Sequence, residues 1–214
     1  MGRLVVVGMR VIRTAEEGIE YSANAAAEAL RAGGIVLYPT DTLYGLGVDA
    51  RDAQAVERLK VLKGRNTEKW ISIVVRDLEM LARCAETQAQ ARQLIEQHLP
   101  GALTLVLPAN DTALSHLASD DTIGVRIPDE PFTQALSRAF DSPYTATSAN
   151  LAGMPTPGTV EQILAQFGEA VRGIDLVIDD GPREGREPST VVRMLGEKAE
   201  ILREGAISRE QLGL

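Results

Sequence analysis

The segment that most constrains this chain is GGIVLYPTDTLYGLG at residues 33–47. The apolar run at 35–38 leaves no room for a helix, and Pro39 has no backbone N–H to continue a ladder. The pattern therefore predicts a buried strand that ends abruptly in a loop. In that loop Thr40, Asp41 and Thr42 place two hydroxyls and a carboxylate at the strand end. Gly45 and Gly47 let backbone come close to whatever those groups face. Ligands of α/β proteins bind in crevices outside strand ends, so this loop is the first candidate for a binding site.

Composition narrows the classes. With 214 residues and 44% hydrophobic content, the chain has enough apolar matter for a full core, and we expect one domain over residues 1–214. Only 4% of residues are aromatic, so aliphatic side chains must build that core. A net charge of −8 argues against a surface made to coat nucleic acid. The single cysteine, Cys84, excludes an internal disulfide and a cysteine-rich metal site, which fits a reducing, cytoplasmic setting. The opening MGRLVVVGMRVIR is too short in apolar residues for a signal-peptide core or a membrane span. Val6 stands where a myristoylation signal needs Ser or Thr.

Along the chain, one or two strands are expected over 4–7 and 9–12, an extended stretch at 45–50, and strands at 35–38, 71–75, 102–107, 122–127, 142–146 and 174–178, with a closing hairpin of 189–194 and 199–203 around Gly196. Helices are expected from Ser22 to the Gly33–Gly34 pair, from an Asp52 cap to Leu62, from a Thr87/Gln90 capping box to His98, and over 131–140. Two more follow a Thr159/Gln162 cap and a Ser208/Gln211 cap. The polar, glycine-bearing segment 179–188 is long enough to be a mobile loop. The elements alternate without forming a clean βαβ series, so a mixed sheet is expected.

Three further features carry chemistry. Between Arg58 and Arg76 stand six basic residues, Arg58, Lys60, Lys63, Arg65, Lys69 and Arg76, against one acid, Glu68. A solvated helix face accounts for such a run. So does an anion site, since lysine supplies a point charge to a phosphate and arginine a planar fork. Arg126 lies in an otherwise apolar strand before Pro128, where it either pairs with a core carboxylate or faces an anionic ligand. The loop TSANLAGMPTP beginning at Thr147 offers hydroxyl and amide groups able to cradle phosphate oxygens, and equally able to form an ordinary turn. His98 and His116 lack metal-ligand spacing and read as surface or capping residues; no metal site is expected.

Taken in order, PTDTLYGLG, KGR, PGALTLVL, GVRIPD, TSAN…PTP, PSTVV and ILREGAI resemble the YrdC-like family, the threonylcarbamoyl-AMP synthases, over residues 20–207. The resemblance implies an α/β fold whose open, twisted, mostly mixed sheet with flanking helices surrounds a large concave pocket, in the short single-domain form. It implies an L-threonylcarbamoyladenylate synthase that joins L-threonine, bicarbonate and ATP into threonylcarbamoyl-AMP and pyrophosphate. Mg²⁺ would be bound through the phosphates, and a partner complex would pass the product to tRNA.

Carried over residue by residue, the resemblance gives Lys63 and Arg65 the catalytic role of holding the triphosphate, with Lys69 close by. Thr42, Arg126, the Ala146 backbone and Ser189 fall to threonine, and Thr122, Ser148, Asn150, Thr156 and Arg203 to the nucleotide. It leaves Thr40, Asp41 and Thr104 without a role. The chain departs from the family pattern at Asn66, Trp70 and Ile71, where proline and Pro-Leu are common, and it lacks a histidine some members carry near Val74. Two other readings compete. One is an RNA-binding module of the same fold, with direct RNA contact, which the acidic charge and scarce aromatics oppose. The other is a hydrolase pairing Ser148 with His98 or His116, which the absence of a Gly-x-Ser-x-Gly elbow opposes.

Overall fold

The computed structural model describes residues 9–64, 71–196 and 198–214. Arg65 and Lys69, with the departures at Asn66 and Trp70 and the strand expected at 4–7, lie outside the described residues. The strands are β1 (Arg10–Arg13), β2 (Val36–Tyr38), β3 (Gly45–Gly47), β4 (Ser72–Val74), β5 (Leu103–Pro108), β6 (Thr122–Arg126), β7 (Tyr144–Ser148), β8 (Leu176–Asp179), β9 (Thr190–Leu195) and β10 (Lys198–Arg203). They form one mixed sheet in the order β1-β8-β2-β3-β7-β4-β6-β5-β9-β10. The helices are α1 (Thr14–Glu17), α2 (Ile19–Arg31), α3 (Ala53–Leu62), α4 (Leu78–Cys84), α5 (Ala89–His98), α6 (Pro131–Phe140), α7 (Val160–Phe167) and α8 (Arg209–Leu212). None of the described helices is long and apolar enough to cross a membrane.

Side chains alternate across a strand, and here that alternation builds two unequal layers. Leu37, Ile73, Leu103, Leu105, Leu107, Val125, Val177 and Val192 point to one face, where α3, α4, α5, α7 and α8 complete the larger core. Val36, Tyr38, Val74, Tyr144, Leu176 and Ile178 point to the other, against α2 and α6. The small side chains Ala23, Ala26 and Ala27 let α2 pack closely there, and all three are fully buried. These two helices cover only part of their face. The uncovered remainder over β7, β4, β6, β5 and β9 is the floor of the cavity described below.

Several local signals operate as read. The Asp52 side chain accepts from the N–H groups of Gln54 and Ala55, and Thr159 caps α7 by accepting from Gln162 N–H. Both halves of the Ser208/Gln211 capping box are formed. Others do not. Ser22 is no cap: α2 starts after Gly18, and Ser22 Oγ donates to the Gly18 carbonyl from inside the first turns. Thr87 and Gln90 form no capping box, because α5 is capped by Gln88 without a side-chain hydrogen bond. β7 runs to Ser148 rather than ending near Ala146, so half of the TSAN motif belongs to the sheet.

The glycines of the opening segment also have a task beyond the one expected. A Cβ on Gly47 would stand 2.8 Å from the Tyr38 ring and 2.9 Å from the Thr145 carbonyl, and one on Gly45 3.1 Å from the same ring. The backbone approach is to Tyr38, which is fully buried and donates its hydroxyl to the Thr145 carbonyl (3.1 Å). Burial pushes that phenol far above the ordinary tyrosine range. Because ring and carbonyl are both pinned, Gly47→Ala should lower stability by about 1–3 kcal/mol through overpacking. Urea unfolding checks this, through a lowered midpoint at unchanged slope.

Candidate active site

A cavity of about 880 Å³ opens over the uncovered sheet face, a size suited to two small substrates or one large one. Its floor follows from strand register. Ala146 of β7 lies opposite Ser72 of β4, and Val106 of β5 opposite Gly124 of β6. Thr104 of β5 is matched with Val191 of β9. All six line the cavity. Of these, Ser72, Gly124 and Ala146 are small, and their size leaves the space above them open. A Cβ on Gly124 would reach within 2.5 Å of Ser72 Oγ, so the floor is bare where those two meet. The site thus lies over the sheet's face, with the PTDT loop as one wall, and not simply beyond the strand ends.

Arg126, at the end of β6, is the deep cationic group, 7% exposed. Its Nη2 donates to Asp41 Oδ1 (2.5 Å) and its Nη1 to Thr42 Oγ1 (3.3 Å). Asp41 Oδ2 also accepts from the Asp129 N–H (3.2 Å). Thr40 Oγ1 donates to the Leu43 carbonyl (2.5 Å) and accepts from the Thr42 N–H (3.1 Å), so at the 3.0 Å hydroxyl contact Thr42 is the donor to Thr40. The loop is therefore a fixed frame around one guanidinium. Arg126 Nε is buried with no acceptor among the described residues, a costly state for a charged donor unless a ligand joins it.

Arg203 and Arg186 add positive charge to the lining. Arg203 Nε and Nη2 donate to the Ser189 carbonyl (3.2 and 2.8 Å), and Nη2 also reaches Ser189 Oγ (3.2 Å). Partial burial first, and the nearby Arg126 charge second, hold its pKa below the ordinary arginine value. A bulge places this side chain: Ile201 pairs with Val192 while Arg203 pairs with Val191. Leu202 and Arg203, though consecutive, thus both face the cavity. Arg186 donates to the Asp41 carbonyl (3.1 Å).

The opposite wall is the TSAN loop. Asn150 Oδ1 accepts from the hydroxyls of Ser148 and Thr156, while Nδ2 donates to the carbonyls of Leu151 (2.8 Å) and Met154 (2.6 Å). With every hydrogen-bonding position of its amide used, Asn150 is the template on which this loop is folded. Lys63, fully buried at the end of α3, donates from Nζ to the Ser148 carbonyl and so joins the basic segment to that wall from beneath.

Of the residues singled out in the sequence, Thr42, Arg126, Ala146, Ser189, Ser148, Asn150, Thr156 and Arg203 come together around this one cavity. Lys63 and Thr122 are not among its lining. Thr122 lies at the far end of β6, its hydroxyl donating to the Ser119 carbonyl (2.8 Å). Arg65 and Lys69 lie outside the described residues. Ser148 lines the cavity and neither His98 nor His116 does, and the Nε2 atoms of both histidines are buried without hydrogen-bond partners among the described residues. Among the described residues no three His, Cys, Asp or Glu side chains converge as metal ligands.

Sequence reading passed over Arg183, which is 7% exposed. Its Nη2 pairs with Asp180 and lies 3.6 Å from Glu130 Oε1, its Nε donates to the Thr40 carbonyl (3.2 Å) and its Nη1 to the Asp180 carbonyl (3.0 Å). The guanidinium also stands 5.8 Å from the centre of the Tyr44 ring. Tyr44 Oη donates to the Gly181 carbonyl (2.7 Å) and accepts from the Asp180 N–H (2.9 Å), and burial pushes its phenol up to about 12. The segment expected to be a mobile loop is thus fastened to the PTDT wall by Arg183 and Arg186.

An open mixed α/β sheet with an arginine-lined, hydroxyl-rich cavity on its uncovered face defines a protein built to hold small anionic molecules. The family described as "Telomere recombination", Sua5/YciO/YrdC, matches residues 28–205. A Methanocaldococcus jannaschii relative is 37% identical over 180 residues, 84% of each chain. The Bacillus subtilis threonylcarbamoyl-AMP synthase is 35% identical over 190 residues, 87% of this chain. The crystal structure of P. abyssi Sua5 complexed with L-threonine superimposes with a TM-score of 0.84 at 31% identity, over 95% of this chain. This chain spans 54% of the B. subtilis protein's length and 59% of the P. abyssi chain. It belongs to the Sua5/YciO/YrdC family.

Proposed function

We propose that this protein is a threonylcarbamoyl-AMP synthase, a nucleotidyltransferase acting on L-threonine, bicarbonate and ATP. The observation that carries the reading is Arg126, oriented by Asp41 and Thr42 at the floor of the cavity. The Arg126 Nε–H, buried with no acceptor among the described residues, is the donor left to meet an amino-acid carboxylate.

In this reading threonine binds through its carboxylate at Arg126. The Ala146 backbone and the Ser189 hydroxyl contact the rest of the molecule, and Thr42 Oγ1 keeps a lone pair for the amine. The amine adds to bicarbonate with loss of water, giving a carbamate. A carbamate oxygen then attacks the ATP α-phosphorus, the bond to the β-phosphate oxygen breaks, and pyrophosphate leaves. The rate gain comes from holding two anions in contact against their repulsion, which positive groups around the cavity allow. The triphosphate falls to Lys63, Arg65 and Lys69, and the nucleotide side to Ser148, Asn150, Thr156 and Arg203; Thr122, bonded to the Ser119 carbonyl and outside the cavity's lining, has no part in it. In this reading Mg²⁺ enters bound to the phosphates of the nucleotide, as part of the substrate. The product is handed in the cytoplasm to a tRNA-modifying complex, with direct RNA contact confined to that encounter.

The test supplies ATP, Mg²⁺ and bicarbonate, with and without L-threonine, and measures pyrophosphate. Threonine should raise its release; folded protein indifferent to threonine contradicts the reading. Lys63→Ala and Arg65→Ala should each weaken ATP binding by about 1.5–3 kcal/mol, the worth of a charge-assisted hydrogen bond. Titration calorimetry with a non-hydrolysable ATP analogue checks this, and unchanged affinity in both variants removes the basic segment from the site.

A further inference from the structure

We infer that Thr104 is a specificity-determining positioning residue, which turns the Ser189 hydroxyl into a hydrogen-bond donor aimed at the substrate's side-chain oxygen. The inference rests on the proposed placement of threonine in the cavity. It is carried by a count of protons and lone pairs around Ser189 Oγ.

Guanidinium nitrogens only donate, so at the 3.2 Å contact between Arg203 Nη2 and Ser189 Oγ the serine oxygen is the acceptor. Thr104 Oγ1 lies 2.9 Å from the same oxygen and has no other hydrogen-bond partner among the described residues. Thr104 is 3% exposed, and a buried hydroxyl proton left without an acceptor is costly. Either hydroxyl can donate across this contact, and we take Thr104 as the donor to Ser189. Both lone pairs of Ser189 Oγ are then occupied, one by Arg203 and one by Thr104. Its own proton has neither neighbour to point to and is turned toward the cavity. The adjacent guanidinium polarises that O–H and makes it a better donor.

A cavity that presents a donor there selects a ligand with an oxygen in reach and leaves a buried donor unmatched when the oxygen is missing. Strand register explains how a residue so far away in sequence does this. Thr104 of β5 is matched with Val191 of β9, which brings its side chain beside Ser189 at the entry to that strand.

The experiment compares L-threonine with L-2-aminobutyrate, the same carbon skeleton without the hydroxyl, in pyrophosphate release by the full chain. Thr104→Val replaces the hydroxyl by a methyl of similar size. It should raise KM for threonine and lower the threonine-to-aminobutyrate ratio of kcat/KM by about 10-fold, while KM for ATP holds. Thr104→Ser, which keeps the hydroxyl, should keep the ratio. Ser189→Ala should lower the ratio as Thr104→Val does, and the double variant should lose little more, since both act through one proton. If Thr104→Val does not fold, Thr104→Ala carries the same expectation. An unchanged ratio in the hydroxyl-free variant, or an equal loss in Thr104→Ser, overturns the inference. Indifference of the wild-type protein to threonine overturns the parent reading and this one together, whereas a wild-type response with an unaltered variant ratio overturns this one alone.

Discussion

Arg126→Ala is expected to raise KM for threonine by at least about 100-fold, the scale of losing a two-point charge-assisted contact. It should also lower stability by about 3–5 kcal/mol. The two losses have different origins. The first removes the group proposed to receive the carboxylate. The second arises because Asp41, 11% exposed at its side chain, is left as a buried carboxylate whose partner at 2.5 Å has gone. They can therefore be separated. Adding Asp41→Ala to Arg126→Ala removes the unpaired charge and should restore part of the stability without restoring threonine response. Urea unfolding reads the first quantity and threonine-dependent pyrophosphate release the second. A single variant with wild-type KM would place the amino acid elsewhere.

The second large effect concerns Arg183. Arg183→Met keeps much of the side chain's volume but strips the charge from between Glu130 and Asp180, and from the Thr40 carbonyl. A loss of about 3 kcal/mol is expected, at the lower end for a broken buried pair because Asp180 is only partly buried. Its pH dependence has a definite sign. Burial raises the Glu130 pKa above the ordinary carboxylate value, while the Thr133 N–H bond and the Arg183 charge act to lower it. A carboxyl whose folded-state pKa exceeds its unfolded value binds protons more tightly when folded, so stability falls as pH rises through that interval. Removing Arg183 raises the folded-state value further and widens the interval. The variant's deficit should therefore be greatest at neutral pH and smaller near about pH 5, measured by thermal or urea unfolding at both. A deficit that grows on acidification would show that Glu130 is not the group left exposed to burial.

Elements set by neighbouring residues were legible in the sequence. The strand before Pro39, the cap at Asp52, the closing hairpin and the terminal capping box all depend on contacts a few residues apart, and all are present. The Thr87/Gln90 box was indistinguishable from the one at Ser208 by pattern, but Thr87 is not the residue that caps α5. Ser22 was misread because a serine can cap a helix or, as here, donate back to a carbonyl one turn earlier within it.

The site divides in the same way. Most residues now lining the cavity were picked out by motif, yet the relations among them were hidden. Arg126 finds Asp41 across a separation of 85 residues, Thr104 finds Ser189 across another 85, and Arg183 reaches Thr40 across 143. No local pattern encodes such pairings. Asp41 was the most chemically suggestive residue of its loop and had no assignable role, because its role is to hold an arginine from another strand. Ser72 and Gly124 could have been found, since each is the small, odd member of an alternating strand. They gained meaning only once register put them side by side on an uncovered face. Gly45 lines the cavity as expected, but both Gly45 and Gly47 also make room for the Tyr38 ring, a contact within the sheet that no local pattern shows.

The central claim is that one cavity joins an amino acid, a one-carbon anion and a nucleotide. Its most direct measurement incubates the purified protein with ATP, Mg²⁺, L-threonine and carbon-13 bicarbonate and follows the nucleotide products by mass spectrometry. The account predicts threonylcarbamoyl-AMP carrying the label at its carbamoyl carbon, formed together with pyrophosphate. Release of AMP and pyrophosphate with no labelled adduct in the wild-type protein, under conditions where the B. subtilis relative makes it, would contradict the account.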